Sequence, residues 1–156
     1  NKLAYVFFST SGGMRMQESN FSLMQMPRMI AAINSLKQEK LPFISVCLDP
    51  TTGGTTASIA LLGDINIAEP KALIAFAGAR VIKETVREEL PPEFQTAEYL
   101  QEKGQIDLVV QRKDLPKVIS TLISQLTNKN KVFTSDSNFI NEQQQSPLGS
   151  ITQPTP

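Results

Sequence analysis

The fold is decided by residues 41–54, LPFISVCLDPTTGG, in which an unbroken apolar run ends in a turn with two adjacent glycines. A β-favouring run without alternation is typical of a strand that is buried on both faces of a parallel sheet. Residues 3–13, LAYVFFSTSGG, repeat this order of apolar run and Gly-Gly turn. Segments with helix-like apolar spacing follow the two turns, at 14–40 and 55–62. Two strand, Gly-Gly, helix units in series predict an α/β fold whose connections share one hand.

The rest of the chain continues the alternation of short strands and short helices. A turn containing Pro70 separates two predicted strands within 63–76, and Pro27 predicts a kink or a break in the first helical segment. Helices are predicted at 80–90, 96–103 and 115–126, and a strand is predicted at 106–110, between the last two helices. Residues 131–156 are rich in Ser, Asn, Gln and Pro and have no periodicity. We therefore predict one domain over residues 1–130 and a disordered polar tail over 131–156.

The composition excludes several classes of function. The 156 residues are enough for one domain of ordinary size, and 15 Lys+Arg balance 15 Asp+Glu. Without an excess of positive charge or a run of about 18 apolar residues, neither nucleic acid nor a membrane is a predicted partner. The chain has no His and a single Cys, so it can supply no Ser-His-Asp triad, no internal disulfide and no cysteine zinc cluster. That residue, Cys47, lies in an apolar run and is predicted to be buried.

The two glycine turns are the candidate functional features. The first four backbone amides of a helix have no partner within the helix, and glycine allows a ligand to approach the backbone closely. The amides of Gly12, Gly13, Gly53 and Gly54 can therefore bind a phosphate, a carboxylate or a developing oxyanion. Glycine pairs also serve simply for sharp turns and close helix packing, and this alternative stays open. Neither pair has the spacing of a P-loop or of a GxGxxG motif.

Longer blocks of sequence around these turns are more specific. Residues 9–18, STSGGMRMQE, resemble the FSASGGARMQE segment of the carboxyltransferase beta subunits of multi-subunit acetyl-coenzyme A carboxylases. Residues 43–76 resemble the next block of that family. The segments FAGARVIKETVREELPPEF (76–94) and YLQEKGQIDLVV (99–110) continue the similarity in order and with matching spacing. The resemblance covers nearly all of residues 3–126.

The resemblance implies a crotonase-like (ClpP/crotonase) superhelix of repeated strand-strand-helix units, here incomplete at the N-terminus. It implies transfer of the carboxyl group of carboxybiotin, held on a separate carrier protein, to acetyl-CoA, which forms malonyl-CoA for fatty acid biosynthesis. The expected partners are the carboxyltransferase alpha subunit in an alpha2beta2-type heterotetramer, the biotin carboxyl carrier protein and biotin carboxylase. Zinc is expected only in a ribbon ahead of Asn1. The expected location is the cytoplasm or, in a photosynthetic eukaryote, the plastid stroma.

The resemblance also assigns the site residues. Gly12 and Gly13 match the family's oxyanion-stabilising glycines, so their N–H groups are expected to bind a substrate or biotin carbonyl oxygen. Gly53 and Gly54 match the second glycine turn, which is expected to bind the acyl-CoA. No metal ligand is expected. Because the ureido nitrogen of biotin can take the α-proton, the absence of His is no obstacle.

Alternatives to these assignments remain open. Ser11 and Thr52 are predicted to shape the turns rather than act as nucleophiles, because no nearby group could deprotonate them. The enzyme alternatives are a carboxyltransferase for a longer acyl-CoA and a crotonase-like hydratase or isomerase, for which Glu18 is the nearby carboxylate. The alternative from another class is a non-catalytic crotonase-like interaction domain whose glycine turns only pack.

Overall fold

The computed structural model describes residues 3–86, 90–91 and 93–127. Within these residues the strands are β1 (Tyr5–Ser11), β2 (Phe43–Thr52), β3 (Ile65–Ala68), β4 (Ile74–Ala75) and β5 (Leu108–Val109). The α-helices are α1 (Asn20–Gln38), α2 (Ala79–Val86), α3 (Ala97–Glu102) and α4 (Leu115–Leu126). Short helical turns are added by a π-helix (Thr56–Ala60) and by the 3₁₀-helices Met16–Glu18 and Arg112–Asp114.

The strands form one parallel sheet around β2. The strand order is β1-β2-β3-β5, and β4 pairs with the carboxyl end of β2. Every one of these strand pairs is parallel, so each connection must cross over and bring the chain back in the same direction. The predicted α/β fold class is confirmed. Parallel pairing also places the loops that follow β1 and β2 at the same edge of the sheet.

The central strand β2 is covered on both faces. Ile44 and Val46 pack against Leu115 and Ile119 of α4, on one face of the sheet. Side chains that alternate with them in β2 point to the opposite face, where α1, the π-helix and α3 lie. Cys47 is fully buried on that face, as predicted. The absence of polar alternation in this strand therefore has a direct cause, since neither face meets water.

The first strand does not match its prediction. Its apolar run predicts burial on both faces, yet Tyr5 is 44% and Phe8 is 51% exposed. Val6 and Phe7 are only half-buried, at the margins of two core clusters. The prediction is wrong because β1 is the edge strand of the described sheet and has β2 as its one neighbour there. The described helices cover β2 and β3 more completely than they cover β1.

The first helix also differs from its prediction. It begins at Asn20, after a separate 3₁₀-turn, and it continues through Pro27 to Gln38. Of the predicted kink or break at Pro27, the break into two helices is wrong, because one helix spans this residue. Proline removes one backbone donor, and the packing of Met29 and Ile33 against the core favours continuation of the helix beyond it.

Other boundaries agree more closely. The helix α4 has the predicted bounds, and α3 begins after Thr96, whose Oγ1 accepts a hydrogen bond from the Tyr99 amide. The predicted strand at 106–110 is shortened to Leu108–Val109. The second predicted glycine turn is shorter than expected, because β2 extends through Pro50 to Thr52. The predicted tail, 131–156, lies outside the described residues.

Candidate active site

The two predicted glycine turns lie side by side at the carboxyl edge of the sheet. A Cβ atom built on Gly53 would lie 2.8 Å from the Cα atom of Gly13, so the two backbones are in direct contact. Gly13 has φ +110° and Gly53 has φ +64°, which side chains other than glycine rarely adopt. The structure therefore brings together two motifs that are offset by 41 residues in the chain (53 minus 12), and glycine at 53 is required by both conformation and space.

The four glycine amides differ in whether they are free to bind a ligand. The Gly13 N–H donates to Ser11 Oγ at 3.1 Å, and the Gly53 N–H donates to the Ala75 carbonyl at 2.9 Å. Within the described part of the chain, the amide hydrogens of Gly12 and Gly54 have no acceptor. The structure thus narrows the predicted donors from four to two. That these amides bind a substrate oxygen stays a prediction.

The two open amides lie in different surroundings. Gly12 is exposed, and a Cβ atom built on it would have no neighbour within 4 Å. Gly54 is buried beneath Met14, whose Cγ lies 2.6 Å from the position of a Cβ on Gly54. An unpaired amide on an exposed residue can bind an oxygen ligand, and Gly12 meets this condition without any movement. Gly54 meets it only when the flexible Met14 side chain moves aside.

Hydroxyl groups connect the two turns. Thr52 Oγ1 donates to the Ser11 carbonyl at 3.0 Å, and Ser11 Oγ accepts from the Gly13 amide. Thr56 Oγ1 donates to the Thr51 carbonyl at 2.9 Å, and Ser58 Oγ donates to the Gly54 carbonyl at 2.6 Å. The prediction that Ser11 and Thr52 shape the turns is confirmed by these bonds.

The helices after the two turns are not equivalent. The second turn leads directly into helical backbone from Gly54 onward, most of which is the π-helix. The first turn is followed by extended backbone and the 3₁₀-turn, and α1 starts only at Asn20. The expectation that Gly12 and Gly13 lie at a helix N-terminus is therefore wrong. The Gly12 amide is open because the strand has ended, and a helix dipole does not add to its attraction for anions.

Two clefts flank the helical turn that starts at Gly54. The first has a volume of about 380 Å³ and lies between this turn and α1, with Met14, Glu18 and Ser22 in its wall. The second, also of about 380 Å³, lies between the same turn and the end of β4, with Phe76 in its wall. The second cleft is the more apolar of the two by its lining residues. Gly54 lies in the wall of the first cleft and Thr56 in that of the second, so a ligand with an apolar part has room near the second glycine turn.

Few titratable groups lie near the turns. Glu18 forms an ion pair with Arg15 at 3.7 Å, with both side chains more than half exposed, and accepts a hydrogen bond from Ser22. Such an exposed pair contributes little to stability. Burial raises the pKa of the Cys47 thiol, which favours its uncharged form. Among the described residues, no three His, Cys, Asp or Glu side chains are grouped to hold a metal ion.

An ion pair between the nearly buried Glu69 and the exposed Arg112 lies further along the same edge of the sheet. The Glu69 carboxylate, after β3, accepts two hydrogen bonds from Arg112, at 2.5 Å from Nε and 2.8 Å from Nη2. These hydrogen bonds hold the pKa of Glu69 below its ordinary value, against the opposing effect of burial. The pair joins the loop after β3 to the loop after β5, so it supports the edge without touching the glycine turns.

Sequence analysis missed several groups that shape the site. The Ala75 carbonyl takes the Gly53 amide, and a backbone carbonyl leaves no signal in a sequence. Gln95 is buried, with its Nε2 donating to the Ala77 carbonyl at 2.7 Å and its Oε1 unpaired among the described residues. The position of Met14 over Gly54 was also not foreseen, although Met14 directly follows the first glycine pair.

Comparison with known proteins identifies the family. Residues 1–152 match the carboxyl transferase domain, and the chain belongs to that family. The acetyl-coenzyme A carboxylase carboxyl transferase subunit beta of Pelagibacter ubique (strain HTCC1062) is 55% identical over 142 residues. These residues are 91% of this chain and 46% of the relative, so the chain spans about half the length of that protein.

Solved structures agree with this assignment. A transcarboxylase 12S crystal structure, with hydrolysed methylmalonyl-coenzyme A bound, is 28% identical with a TM-score of 0.68, over 79% of this chain and 25% of that chain. A Pseudomonas malonate decarboxylase hetero-dimer is 21% identical with a TM-score of 0.61, over 79% of this chain and 53% of that chain, and supports the fold alone. The predicted crotonase-like carboxyltransferase fold is confirmed. Within the part of the chain that is described, no helix is both long and apolar enough to span a bilayer.

Proposed function

We propose that this chain is the C-terminal part of an acetyl-CoA carboxylase carboxyltransferase beta subunit, which transfers a carboxyl group from carboxybiotin to acetyl-CoA and forms malonyl-CoA. The similarity to the Pelagibacter ubique subunit over nearly the whole chain supports this choice of reaction. The observation that carries it in the structure is the Gly12 amide, which is unpaired, exposed and adjacent to the second glycine turn.

The role of the chain in this reaction is to stabilise negative charge. Carboxybiotin supplies the carboxyl group and, once that group has left, a ureido nitrogen that takes the α-proton of acetyl-CoA. The Gly12 N–H would donate to the thioester or ureido oxygen on which charge develops. A fixed donor of this kind contributes about 3–4 kcal/mol in other oxyanion holes. Because the two turns are in backbone contact, the donor needs no rearrangement when charge appears.

The second glycine turn would bind the acyl-CoA. Gly54 lies in the wall of the first cleft and Thr56 in that of the second, so a thioester at the turn has space on either side. Movement of Met14 would add the Gly54 amide as a further donor. Glu18 is the carboxylate of the first cleft, and its exposed pair with Arg15 gives no reason to assign it acid-base chemistry.

The remaining elements of the proposal concern the assembled enzyme. The partners would be a carboxyltransferase alpha subunit in an alpha2beta2-type complex, a biotin carboxyl carrier protein and biotin carboxylase. A zinc ribbon would belong to the half of the relative's length that this chain does not cover, since this chain has no His and one buried Cys. A bacterial cytoplasm or a plastid stroma would suit a chain without disulfides.

An activity profile of the assembled complex tests the proposal. The full-length protein containing this chain would be combined with the alpha subunit from the same source and supplied with biotin and a series of acyl-CoA thioesters. We expect biotin-dependent decarboxylation of malonyl-CoA, the reverse reaction, to exceed that of methylmalonyl-CoA, and no hydration of crotonyl-CoA.

Each other outcome identifies an alternative. Faster turnover of methylmalonyl-CoA would indicate a carboxyltransferase for a longer acyl-CoA, and hydration of crotonyl-CoA would indicate a hydratase. No turnover in a complex that has formed, as measured by light scattering, would indicate a non-catalytic interaction domain. Two separate species in the scattering measurement would contradict the proposed complex with the alpha subunit.

A further inference from the structure

The strand pairing between β1 and β2 is interrupted just before the glycine turns. Ser9 pairs with Cys47 and Ser11 pairs with Thr51, so Thr10 alone lies opposite three residues of β2. This bulge in β2 moves the second glycine turn forward along the sheet. Beyond it, Ser11 and Thr51 form the last backbone pair before the two turns, so little of the sheet ladder fixes the relative position of the turns.

Hydroxyl groups reinforce this last backbone pair. Across the bulge, the fully buried Thr51 Oγ1 lies 2.9 Å from the Ser9 carbonyl and 2.8 Å from the Leu48 carbonyl, and its one hydrogen is shared between them. After it, Thr52 Oγ1 donates to the Ser11 carbonyl at 3.0 Å. The Thr52 bond is the last side-chain link between the strands before the two glycine turns.

The acceptor of the Thr52 bond belongs to the peptide unit that carries the Gly12 amide. The Ser11 carbonyl and the Gly12 N–H are two ends of one planar trans peptide, and they point in opposite directions. A hydroxyl that holds the carbonyl toward β2 therefore fixes the direction of the N–H away from it. Hydrogen bonding at the carbonyl also polarises the peptide and makes its N–H a stronger donor.

We propose that Thr52 is a positioning residue for carboxyl transfer, because its hydroxyl orients the peptide plane whose N–H, that of Gly12, faces the reacting oxygen. This inference rests on the proposed function. It assigns Thr52 no contact with substrate: Thr52 acts through the Ser11–Gly12 peptide. The side chain is half-buried and makes this hydrogen bond across the strand pair, so its hydroxyl can be removed with little change in packing.

The test compares Thr52→Val with Thr52→Ser in the full-length protein assembled with its alpha subunit. Valine keeps the shape and loses the hydrogen-bond donor, whereas serine keeps the donor. We expect Thr52→Val to lower kcat by about 10- to 100-fold with KM for the acyl-CoA within about twofold, because the donor is misdirected only where charge develops. Thr52→Ser should restore kcat to within about threefold of the wild type.

Controls separate this role from a structural one. Thr121→Val removes a comparable hydroxyl-to-carbonyl bond on α4, far from the turns along the chain, and should leave kcat and KM unchanged. If Thr52→Val does not assemble, Thr52→Ala, which also lacks the donor and is smaller, should show the same fall in kcat.

Two results would overturn the inference while the proposed function stands: a Thr52→Val enzyme as fast as an active wild type, or a Thr52→Ser enzyme as slow as Thr52→Val. A rise in KM with unchanged kcat would also overturn it, since that pattern indicates lost substrate binding. A wild-type complex that carboxylates no acyl-CoA would overturn the proposed function, and the inference with it.

Discussion

The first and second glycine turns look alike in sequence and differ in structure. Each follows an apolar strand, yet Gly53 touches the backbone of the other turn, whereas Gly12 has open space where a side chain would begin. The second turn runs directly into helical backbone, and the first into an extended segment. The glycine at 53 is thus required by packing, while the glycine at 12 leaves room for something outside this chain.

This difference distinguishes a glycine that is needed for packing from a glycine that leaves space for a ligand. A glycine needed for close approach of two backbones would be selected even in a protein that binds nothing. An exposed glycine without positive φ and without neighbours has no such structural requirement. Gly12 is therefore more informative than Gly53 about ligand binding. Variants of both turns and of the sheet edge test this difference, from the largest expected effect on stability to the smallest.

Gly53→Ala should have the largest effect. The new methyl group would lie 2.8 Å from Gly13 Cα, and alanine would be held at φ +64°. We expect the free energy of unfolding, measured by chemical denaturation, to fall by about 3–5 kcal/mol, from left-handed backbone strain and overpacking together. Gly104→Ala is the matched control, because Gly104 has φ +76° but open space, and should cost only about 1–2 kcal/mol. Equal losses in the two variants would contradict the backbone contact.

Low pH should destabilise a part of the sheet edge that is separate from both glycine turns. The turns are held by uncharged hydrogen bonds, whereas the loop after β3 is held by Glu69 and Arg112. Because hydrogen bonds from Arg112 lower the pKa of Glu69 in the folded state, their stabilisation is complete above the unfolded value of about 4.3 and is lost as pH falls through the lowered folded value.

The variant Arg112→Gln should therefore lose stability at neutral pH and should show a shallower decline in acid than the wild type. Urea denaturation at a series of pH values between 7 and 3 would measure both effects. If the free energy of unfolding falls as steeply with decreasing pH in Arg112→Gln as in the wild type, another carboxyl group controls this decline.

Ser11→Ala tests which amide of the first turn is the donor. The substitution removes the acceptor of the Gly13 N–H, and Gly13 is half-buried, so we expect a loss of about 0.5–1.5 kcal/mol in the free energy of unfolding. Because the Gly12 amide carries the proposed role, kcat should change by less than about threefold. A substantial rise in kcat would instead show that the Gly13 amide, once released, binds the reacting oxygen.

Gly12→Ala should have the smallest effect on stability and a large one on activity. No atom lies within 4 Å of the new methyl group, so the free energy of unfolding should change by less than about 1 kcal/mol. The methyl group would occupy the space through which a substrate oxygen approaches the amide, and kcat/KM for malonyl-CoA decarboxylation should fall at least tenfold. Gly78→Ala, also in open space, is the control. Unchanged activity in Gly12→Ala would contradict the proposed site.

Much of the fold was predictable because it depends on local pattern. The unalternating run in β2 predicted a strand covered on both faces, and the spacing of apolar residues predicted α4 with its observed bounds. The same reasoning failed for β1, because burial of a strand depends on its neighbours in the sheet. The alternative of a break at Pro27 also failed, because the packing of the rest of α1 outweighs the loss of one backbone hydrogen bond.

The candidate site was predictable as a pair of motifs and not as an arrangement of donors. Gly12, Gly13, Gly53 and Gly54 were all candidates, and their sequence context treats them alike. The structure distinguishes them by the acceptors that Ser11 and Ala75 provide. These acceptors are a hydroxyl two residues away and a carbonyl on another strand, and neither role can be read from the glycine motifs.

The sequence by itself determined the order of strands and helices, the exclusion of chemistry that needs His or paired Cys, and the family to which the chain belongs. The tertiary structure alone decided that the two turns touch, that Gly12 keeps an open amide, and that the Thr52 hydroxyl holds the peptide of that amide. The reason is physical. Helix and strand preferences depend on neighbours in the chain, whereas the direction of a backbone N–H at a strand end depends on contacts between distant segments.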